Sequence, residues 1–291
     1  MPERLLILGA NGMLGGSLFR YFSSKSDLEV VGSVRSEAAA EVLLQQGFEN
    51  IRVGTDVCDT QLLSSLIQEV NPTIVLNCIG VIKQLDKAKV PVPSIEINSL
   101  LPHRLAELCG DVGARMVHFS TDCIFSGRKG MYKEGDTPDA TDLYGRSKLL
   151  GEVDYGDHLT LRTSIIGHEL NSSVSLVDWF LSQTGKVRGF SKAIFSGLPT
   201  IYVAEFLYDH VINSRKLKGL YHLSVEPIDK NSLLNLIKAE YGLKTEIDEY
   251  VGFEIDRSLD SSMLRREIGF EPAKWPELIE KMHDEYQEYF A

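Results

Sequence analysis

One stretch constrains the fold more than any other. Residues 4–8 form a short apolar run rich in Leu and Ile, and it breaks directly into Gly9-Ala10-Asn11-Gly12-Met13-Leu14-Gly15. Leu14, Leu18 and Phe22 then repeat at helical spacing. The order is strand, glycine turn, helix. Glycine permits the turn, lets backbone approach a pyrophosphate, and lets the helix pack on the strand. The helix N-terminus then offers N–H groups and partial positive charge to phosphates. The spacing is Gly-x-x-Gly-x-x-Gly rather than Gly-x-Gly-x-x-Gly, so its weight comes from its place between strand and helix. Gly9, Asn11, Gly12, Met13, Leu14 and Gly15 are therefore the first candidate cofactor residues.

The same alternation continues. Strands are expected at residues 29–34, 50–53, 73–78, 115–120 and 159–162, and helices at 38–46, 61–70, 93–109 and around Tyr144. Elements of this length in this order argue a parallel sheet covered on both faces. Beyond about residue 165 the alternation loosens. Residues 173–183, 203–213, 231–241 and 275–289 read as helices, and 185–199 as a loop with short strands. Residues 219–223 read as a strand able to return to the main sheet. The expected domains are 1–165 for the cofactor and the Tyr144 helix, and 166–291 for a substrate lobe partly interwoven with it.

Charge narrows the partners. Of 291 residues, 43% are apolar, enough for a large core, and the net charge is -11. That balance excludes a nucleic-acid or membrane-surface partner. An anionic ligand must instead be held by backbone amides, helix ends and single basic side chains. No apolar run reaches the roughly 18 residues of a membrane span, and residues 1–4 do not open a signal peptide. A cytoplasmic location is expected. Cys58, Cys78, Cys109 and Cys123 are scattered, as free thiols in a reducing compartment are. The seven histidines show no ligand spacing, so no protein-built metal site is expected; His168 stands out only for following Gly167. Asn171-Ser172-Ser173 matches a glycosylation acceptor by chance.

Four further places carry chemistry. After the second strand, where NAD binders often set an acid for the ribose hydroxyls, the run is Gly32-Ser33-Val34-Arg35-Ser36. Arg35 can clamp a 2′-phosphate, which favours NADPH over NADH; the alternative is a solvated Arg opening a helix. Asp56 and Val57 border the adenine in this reading. Asn77, Cys78 and Gly80 close the fourth strand, Gly80 giving room to a cofactor and Asn77 fixing the backbone. Ser120-Thr121-Asp122 ends the fifth strand, at the edge where open α/β sheets bind ligands. Tyr144 and Lys148 stand four apart on one helix face. An ammonium beside a phenol favours the phenolate and eases loss of its proton. By spacing alone such a pair is a common surface feature; its meaning comes from the residues before it.

Taken in order, these motifs resemble the extended short-chain dehydrogenase/reductase superfamily, and more narrowly the dTDP-4-dehydrorhamnose reductases. The resemblance rests on residues 120–127 (Ser-Thr-Asp-Cys-Ile-Phe-Ser-Gly), 132–138 (Tyr-Lys-Glu-Gly-Asp-Thr-Pro), 144–152 (Tyr-Gly-Arg-Ser-Lys-Leu-Leu-Gly-Glu), Leu161-Arg162-Thr163-Ser164, 257–261 and Gly269-Phe270. It implies a Rossmann-type doubly wound sheet with a smaller C-terminal α/β substrate lobe. It implies NAD(P)H as hydride source, a nucleotide-diphosphate sugar as substrate, and a place in polysaccharide biosynthesis. Thr121 would polarise the C4 carbonyl, Tyr144 would give the proton, and Lys148 would hold the nicotinamide ribose. Asn98 joins the cofactor residues on the same ground. Asp122, Cys123 and Ile165 would line the sugar, and Arg257, by charge, would contact the diphosphate. Lys186, Arg188 and Lys192 are weaker candidates, better read as a solvated basic loop. A homodimer is an admissible assembly.

Three departures separate the chain from those reductases. Cys123 replaces a usual Tyr, Ile165 a usual Trp, and residues 80–84 an alanine- and tyrosine-rich segment. Reaction and cofactor carry over; the identity of the sugar does not. The missing acid after Asp122 disfavours a 4,6-dehydratase. A nucleotide-sugar epimerase remains an alternative, as does a non-enzymatic NADP-binding regulatory subunit like the β-subunit of methionine adenosyltransferase.

Overall fold

In a computed structural model of the chain, residues 2–82, 90–170 and 174–291 are described. Residues 83–84 of the departing segment and the Asn171-Ser172-Ser173 acceptor lie outside them. By internal contacts the chain forms two compact units. The first is Met1–Ser120, Thr141–Leu161 and Ala204–Leu220; the second is Thr121–Ala140, Arg162–Val203 and Tyr221–Ala291.

The first unit begins with β1 (Glu3–Leu8), α1 (Met13–Ser23), β2 (Leu28–Val34), α2 (Glu37–Gln45), β3 (Ile51–Val53), α3 (Thr60–Val70) and β4 (Ile74–Asn77). A composite helix follows: α4 (Pro91–Ser94), a π-helical segment Ile95–Leu100, and α5 (Leu101–Asp111). Then come β5 (Arg115–Thr121), α6 (Leu143–Leu150) and β6 (Leu159–Thr163). Helix starts follow local chemistry: Ser36 caps α2, Asp59 caps α3 and Asp142 caps α6 through side-chain oxygens. The strands are apolar almost throughout, as a sheet covered on both faces demands. Leu5, Leu6, Ile7, Leu8, Val75 and Leu76 are fully buried.

The second unit is built from shorter strands: β7 (Ile165–Ile166), β8 (Lys186–Phe190), β9 (Ala193–Phe195), β10 (Leu198–Pro199), β12 (Ile228–Asp229), β13 (Glu246–Tyr250) and β14 (Ile255–Asp256). Its helices are α7 (Leu176–Leu181), α8 (Thr200–Leu207), α9 (Lys230–Glu240), α10 (Ser262–Ile268) and α11 (Trp275–Tyr289). A second π-helical segment, Tyr208–Ile212, continues α8 into the first unit. The strand expected at 219–223 is β11 (Gly219–His222), and it does return to the main sheet.

That sheet has seven strands in the order β11-β6-β5-β4-β1-β2-β3. The pairs β1–β2, β1–β4, β2–β3 and β4–β5 are parallel. Strand order reverses between β1 and β4, the switch point at whose carboxyl ends such sheets bind ligands. The Gly9–Gly15 turn follows β1 and the Cys78–Gly80 loop follows β4, so both candidate segments flank that point. Among the described residues no helix is long and apolar enough to cross a membrane.

Candidate active site

The glycine turn divides its labour among three positions. Gly9 takes φ 81°, a left-handed conformation that a side chain would strain. Its N–H and that of Ala10 both donate to the Ser33 carbonyl on β2. Gly15 is excluded from any larger residue by contact: an added Cβ would lie 2.2 Å from the Gly9 carbonyl oxygen and 3.2 Å from the Cys78 Cβ. Gly12 differs. A Cβ there would meet only the Gly9 oxygen, at 3.4 Å, so the protein leaves it room. Gly12 also heads α1 without a side-chain cap, leaving the first amides of that helix open. Met13 is half-buried and Leu14 buried at the helix start.

Arg35 lies one residue past β2, exposed, with no hydrogen bond or ion pair among the described residues. Its neighbours are occupied: Ser36 caps α2, and Ser33 is buried. Asp56 is exposed and accepts from the Cys58 amide, while Val57 packs in the core with Leu6, Leu8 and Leu63.

At the end of β4 the Asn77 carboxamide works twice. Its Oδ1 accepts from the Ile79 amide at 3.2 Å, and its Nδ2 points at His118 Nδ1 at 3.1 Å. Donation from Nδ2 leaves the ring proton on Nε2. Burial first, then the Lys148 charge, pushes His118 well below the usual imidazole range, so the ring is neutral. The Cys78 thiol is pushed up by burial, against the pull of Lys148, and is no thiolate at neutral pH.

Asn98 sits within the π-helical segment and is 1% exposed. Its Oδ1 accepts from the Val81 amide (2.9 Å); its Nδ2 donates to the Val81 carbonyl (3.1 Å) and to Ser147 Oγ (3.2 Å). Ser99 Oγ adds a bond to the Ser147 carbonyl at 2.8 Å. α6 is thus tied to the loop that follows β4. Gly151 completes the contact, since a Cβ there would fall 1.9 Å from the Asn98 carbonyl oxygen.

That tie fixes Lys148, which follows Ser147. Lys148 is 6% exposed and donates from Nζ to the Phe119 carbonyl, near the carboxyl end of β5, at 2.6 Å. Burial lowers its pKa to about 8; Glu152 and Cys78 oppose the shift. Glu152, just past the end of α6, accepts from Ser120 Oγ at 2.6 Å. Tyr144 is half-buried on the same helix, one turn before Lys148.

The first unit therefore holds Gly9, Asn11, Gly12, Met13, Leu14, Gly15, Arg35, Asp56, Val57, Asn77, Cys78, Gly80, Asn98, Tyr144 and Lys148, and the second holds Thr121, Asp122, Cys123, Ile165 and Arg257. In the second, Thr121 ends β5; its Oγ1 accepts from the Cys123 amide at 3.1 Å and lies 3.2 Å from Asp122 Oδ1. Burial raises the Asp122 pKa, opposed first by Arg257 and more weakly by Lys230. Arg257 Nε donates to the Phe125 carbonyl at 2.9 Å. Ile165 lies on β7, paired with Leu198.

Several motif residues behind the resemblance are scaffold. The Tyr132 phenol oxygen accepts three backbone N–H groups, from Gly127, Arg128 and Lys129, and its ring stacks on Phe125 at 4.1 Å. Glu134 accepts from the amide of His222, and its carbonyl accepts from Arg162. His168 is locked between Asp178 (2.6 Å) and the Tyr241 hydroxyl (2.8 Å) inside an aromatic cluster with Tyr286 and Phe290. His118, Glu152 and Lys230 were not singled out from sequence. Each acquires its role only through strand or helix neighbours distant along the chain.

A doubly wound sheet with a glycine turn at its switch point and a Tyr/Lys helix beyond β5 defines a dinucleotide-binding fold of the extended short-chain dehydrogenase/reductase kind. The chain belongs to the RmlD substrate binding domain family, whose model matches residues 3–244. It is 33% identical over 147 residues to the probable low-salt glycan biosynthesis reductase Agl14 of Haloferax volcanii, a match covering 50% of this chain and 46% of that protein. It is 29% identical over 150 residues to methionine adenosyltransferase 2 subunit beta of Xenopus tropicalis, covering 52% of this chain and 42% of that one. The chain thus spans about half the length of these curated relatives. The fold is similar to that of a dTDP-4-dehydrorhamnose reductase from Bacillus anthracis solved in complex with NADP, with TM-score 0.79, 21% identity, and coverage of 97% of this chain and 99% of that one.

Proposed function

We propose that this chain is an NADPH-dependent reductase of a nucleotide-linked 4-keto-6-deoxy sugar, with Tyr144 as proton donor. The observation that carries the reading is Lys148: a buried ammonium anchored at 2.6 Å on the Phe119 carbonyl, one helical turn from Tyr144. Burial lowers its pKa to about 8, which still leaves the ammonium the main form at neutral pH. A cation held near the phenol lowers the cost of the phenolate left behind when the proton moves to the developing alkoxide. Asn98 and Ser147 position that helix; Thr121 supplies the hydroxyl that polarises the carbonyl. The open amides of α1 and the space at Gly12 suit the cofactor pyrophosphate, and Arg35 suits a 2′-phosphate. Bound there, the nicotinamide cofactor would supply the hydride. Arg257 suits the sugar diphosphate, and Cys123 and Ile165 tune which sugar is taken.

The NADP complex of the Bacillus anthracis reductase and the reductase name of the Haloferax relative support this reading. The test is NADPH oxidation against dTDP-, UDP- and GDP-linked 4-keto sugars, with turnover expected for at least one. Tight NADPH binding with no turnover across the panel would instead favour a regulatory binder, a reading supported by the likeness to the methionine adenosyltransferase subunit.

A further inference from the structure

The second unit carries a cation that the reading above does not use. Lys230 is the first residue of α9 and directly follows β12. In the three-stranded sheet β12-β9-β14, the central strand β9 is flanked on one side by Asp229 and on the other by Asp256, both opposite Ile194. Lys230 and Arg257 are the next residues of those two flanking strands. Continuing the registers, which run antiparallel and parallel, sets Lys230 beside Ala193 and Arg257 beside Phe195. Lys230 heads α9 and Arg257 follows β14, so the two cations start on the two flanks of β9, one at each of its ends. Their backbones are separated by two strand spacings and a two-residue offset, about 12 Å, a gap two long side chains converge across.

The electrostatics agree. Burial lowers the Lys230 pKa; Asp122 and then Cys123 raise it, and Arg257 lowers it further. The two cations therefore repel, with Asp122 as the neighbouring carboxylate, itself biased by burial toward its neutral form. Neither cation is consumed by the protein. Lys230 Nζ has no hydrogen bond or ion pair among the described residues, and Arg257 commits Nε alone, to Phe125. Gly127 leaves room for the Arg257 stem, since a Cβ there would lie 3.0 Å from Arg257 Cγ. Asp229 already caps α9 through the Ser232 amide, so the Lys230 side chain, not the helix end, is what remains available.

We infer that Lys230 and Arg257 together form a two-cation anchor for the diphosphate of a nucleoside-diphosphate sugar, one cation on each side of β9. This rests on the nucleotide-sugar reading above and adds Lys230 to it. A diphosphate shared by the two cations accounts for the Lys230 ammonium and the remaining Arg257 nitrogens, which have no hydrogen bond among the described residues, and it distinguishes two adjacent phosphates from one.

The test is calorimetric titration of the full chain, and of its Lys230→Met, Lys230→Arg and Arg257→Met variants, with thymidine, uridine and guanosine diphosphates, the matching monophosphates, and NADPH. Loss of one charge-assisted contact should weaken diphosphate binding about tenfold or more in either Met variant. Lys230→Arg should retain most of the affinity, monophosphate binding should change little, and NADPH binding should be untouched in all. If Arg257→Met weakens diphosphate binding and Lys230→Met does not, the two-cation anchor is wrong and the nucleotide-sugar reading stands. Equal loss of monophosphate and diphosphate binding in Lys230→Met would also overturn it. If the unmodified chain binds NADPH but none of the diphosphates, both readings fall together.

Discussion

The two units hold their candidate residues in opposite ways. In the first, the buried side chains close on the protein. Of the charged candidates named there for the cofactor, only exposed Arg35 lacks a hydrogen bond or ion pair among the described residues, Asp56 having its backbone contact. Asn77 spans Ile79 and His118, Asn98 spans Val81 and Ser147, and Lys148 is anchored on Phe119. Gly9 and Gly15 are set by backbone conformation and contact. In the second, the charged ends are left open: Lys230 has no hydrogen bond or ion pair among the described residues, and Arg257 commits one nitrogen. The first arrangement suits a ligand and a reaction that stay the same. The second can be retuned residue by residue without disturbing the fold. Two of the three departures from the rhamnose reductases, Cys123 and Ile165, fall in the second unit, and the third, residues 80–84, follows β4 along the chain.

The largest effect that would break this contrast is chemical. Tyr144→Phe should lower turnover by roughly 10²–10⁴ with NADPH affinity nearly unchanged, measured by steady-state kinetics and fluorescence titration. Lys148 shapes the pH profile. Its folded pKa of about 8 lies below the ordinary lysine value, so the ammonium is lost as pH rises through about 8. Reduction should decline there, and a rate flat to pH 10 would count against the pair. Next comes the glycine turn. Gly15→Ala, with a 2.2 Å clash against backbone, should cost about 3 kcal/mol or more in thermal or denaturant unfolding. Gly12→Ala should cost about 1 kcal/mol or less yet weaken NADPH binding; equal stability losses would erase the division between the two glycines. Smallest is Arg35→Ala, expected to weaken NADPH binding about tenfold while leaving NADH within about twofold. Equal losses for both cofactors would remove the 2′-phosphate contact.

Much of the first unit was legible because its elements are made by local rules. The apolar run, the glycine turn and the Asp and Ser caps act within a few residues, and the strands and helices expected before residue 165 are present within a residue or two. Beyond residue 165 the helices at 203–213, 231–241 and 275–289 are also present, and it is several strands of the second unit that resisted. Its strands are short, and some are polar: Glu246-Ile247-Asp248-Glu249-Tyr250 alternates weakly and becomes β13 only by pairing with β8. Lys230 was illegible for the same reason, since its meaning depends on β9, some 35 positions earlier. Val57, expected at the adenine, is also a core residue. Periodicity gives burial and cannot say which buried side chain also borders a ligand.

The π-helical segment at Ile95–Leu100 has a consequence for how this protein tolerates change in length. A π-helical turn is an α-helix carrying one surplus residue. Each residue advances a helix by about 100°, so the surplus sets the rotational phase between α4 and α5, and Asn98 lies inside it. Removing one residue there would let the helix relax to ordinary winding and swing Asn98 away from Val81 and Ser147. The lost clasp would leave two buried groups unmatched and release the helix bearing Tyr144 and Lys148. The surplus residue is thus a phase adjuster, and this stretch should accept substitution far more readily than insertion or deletion.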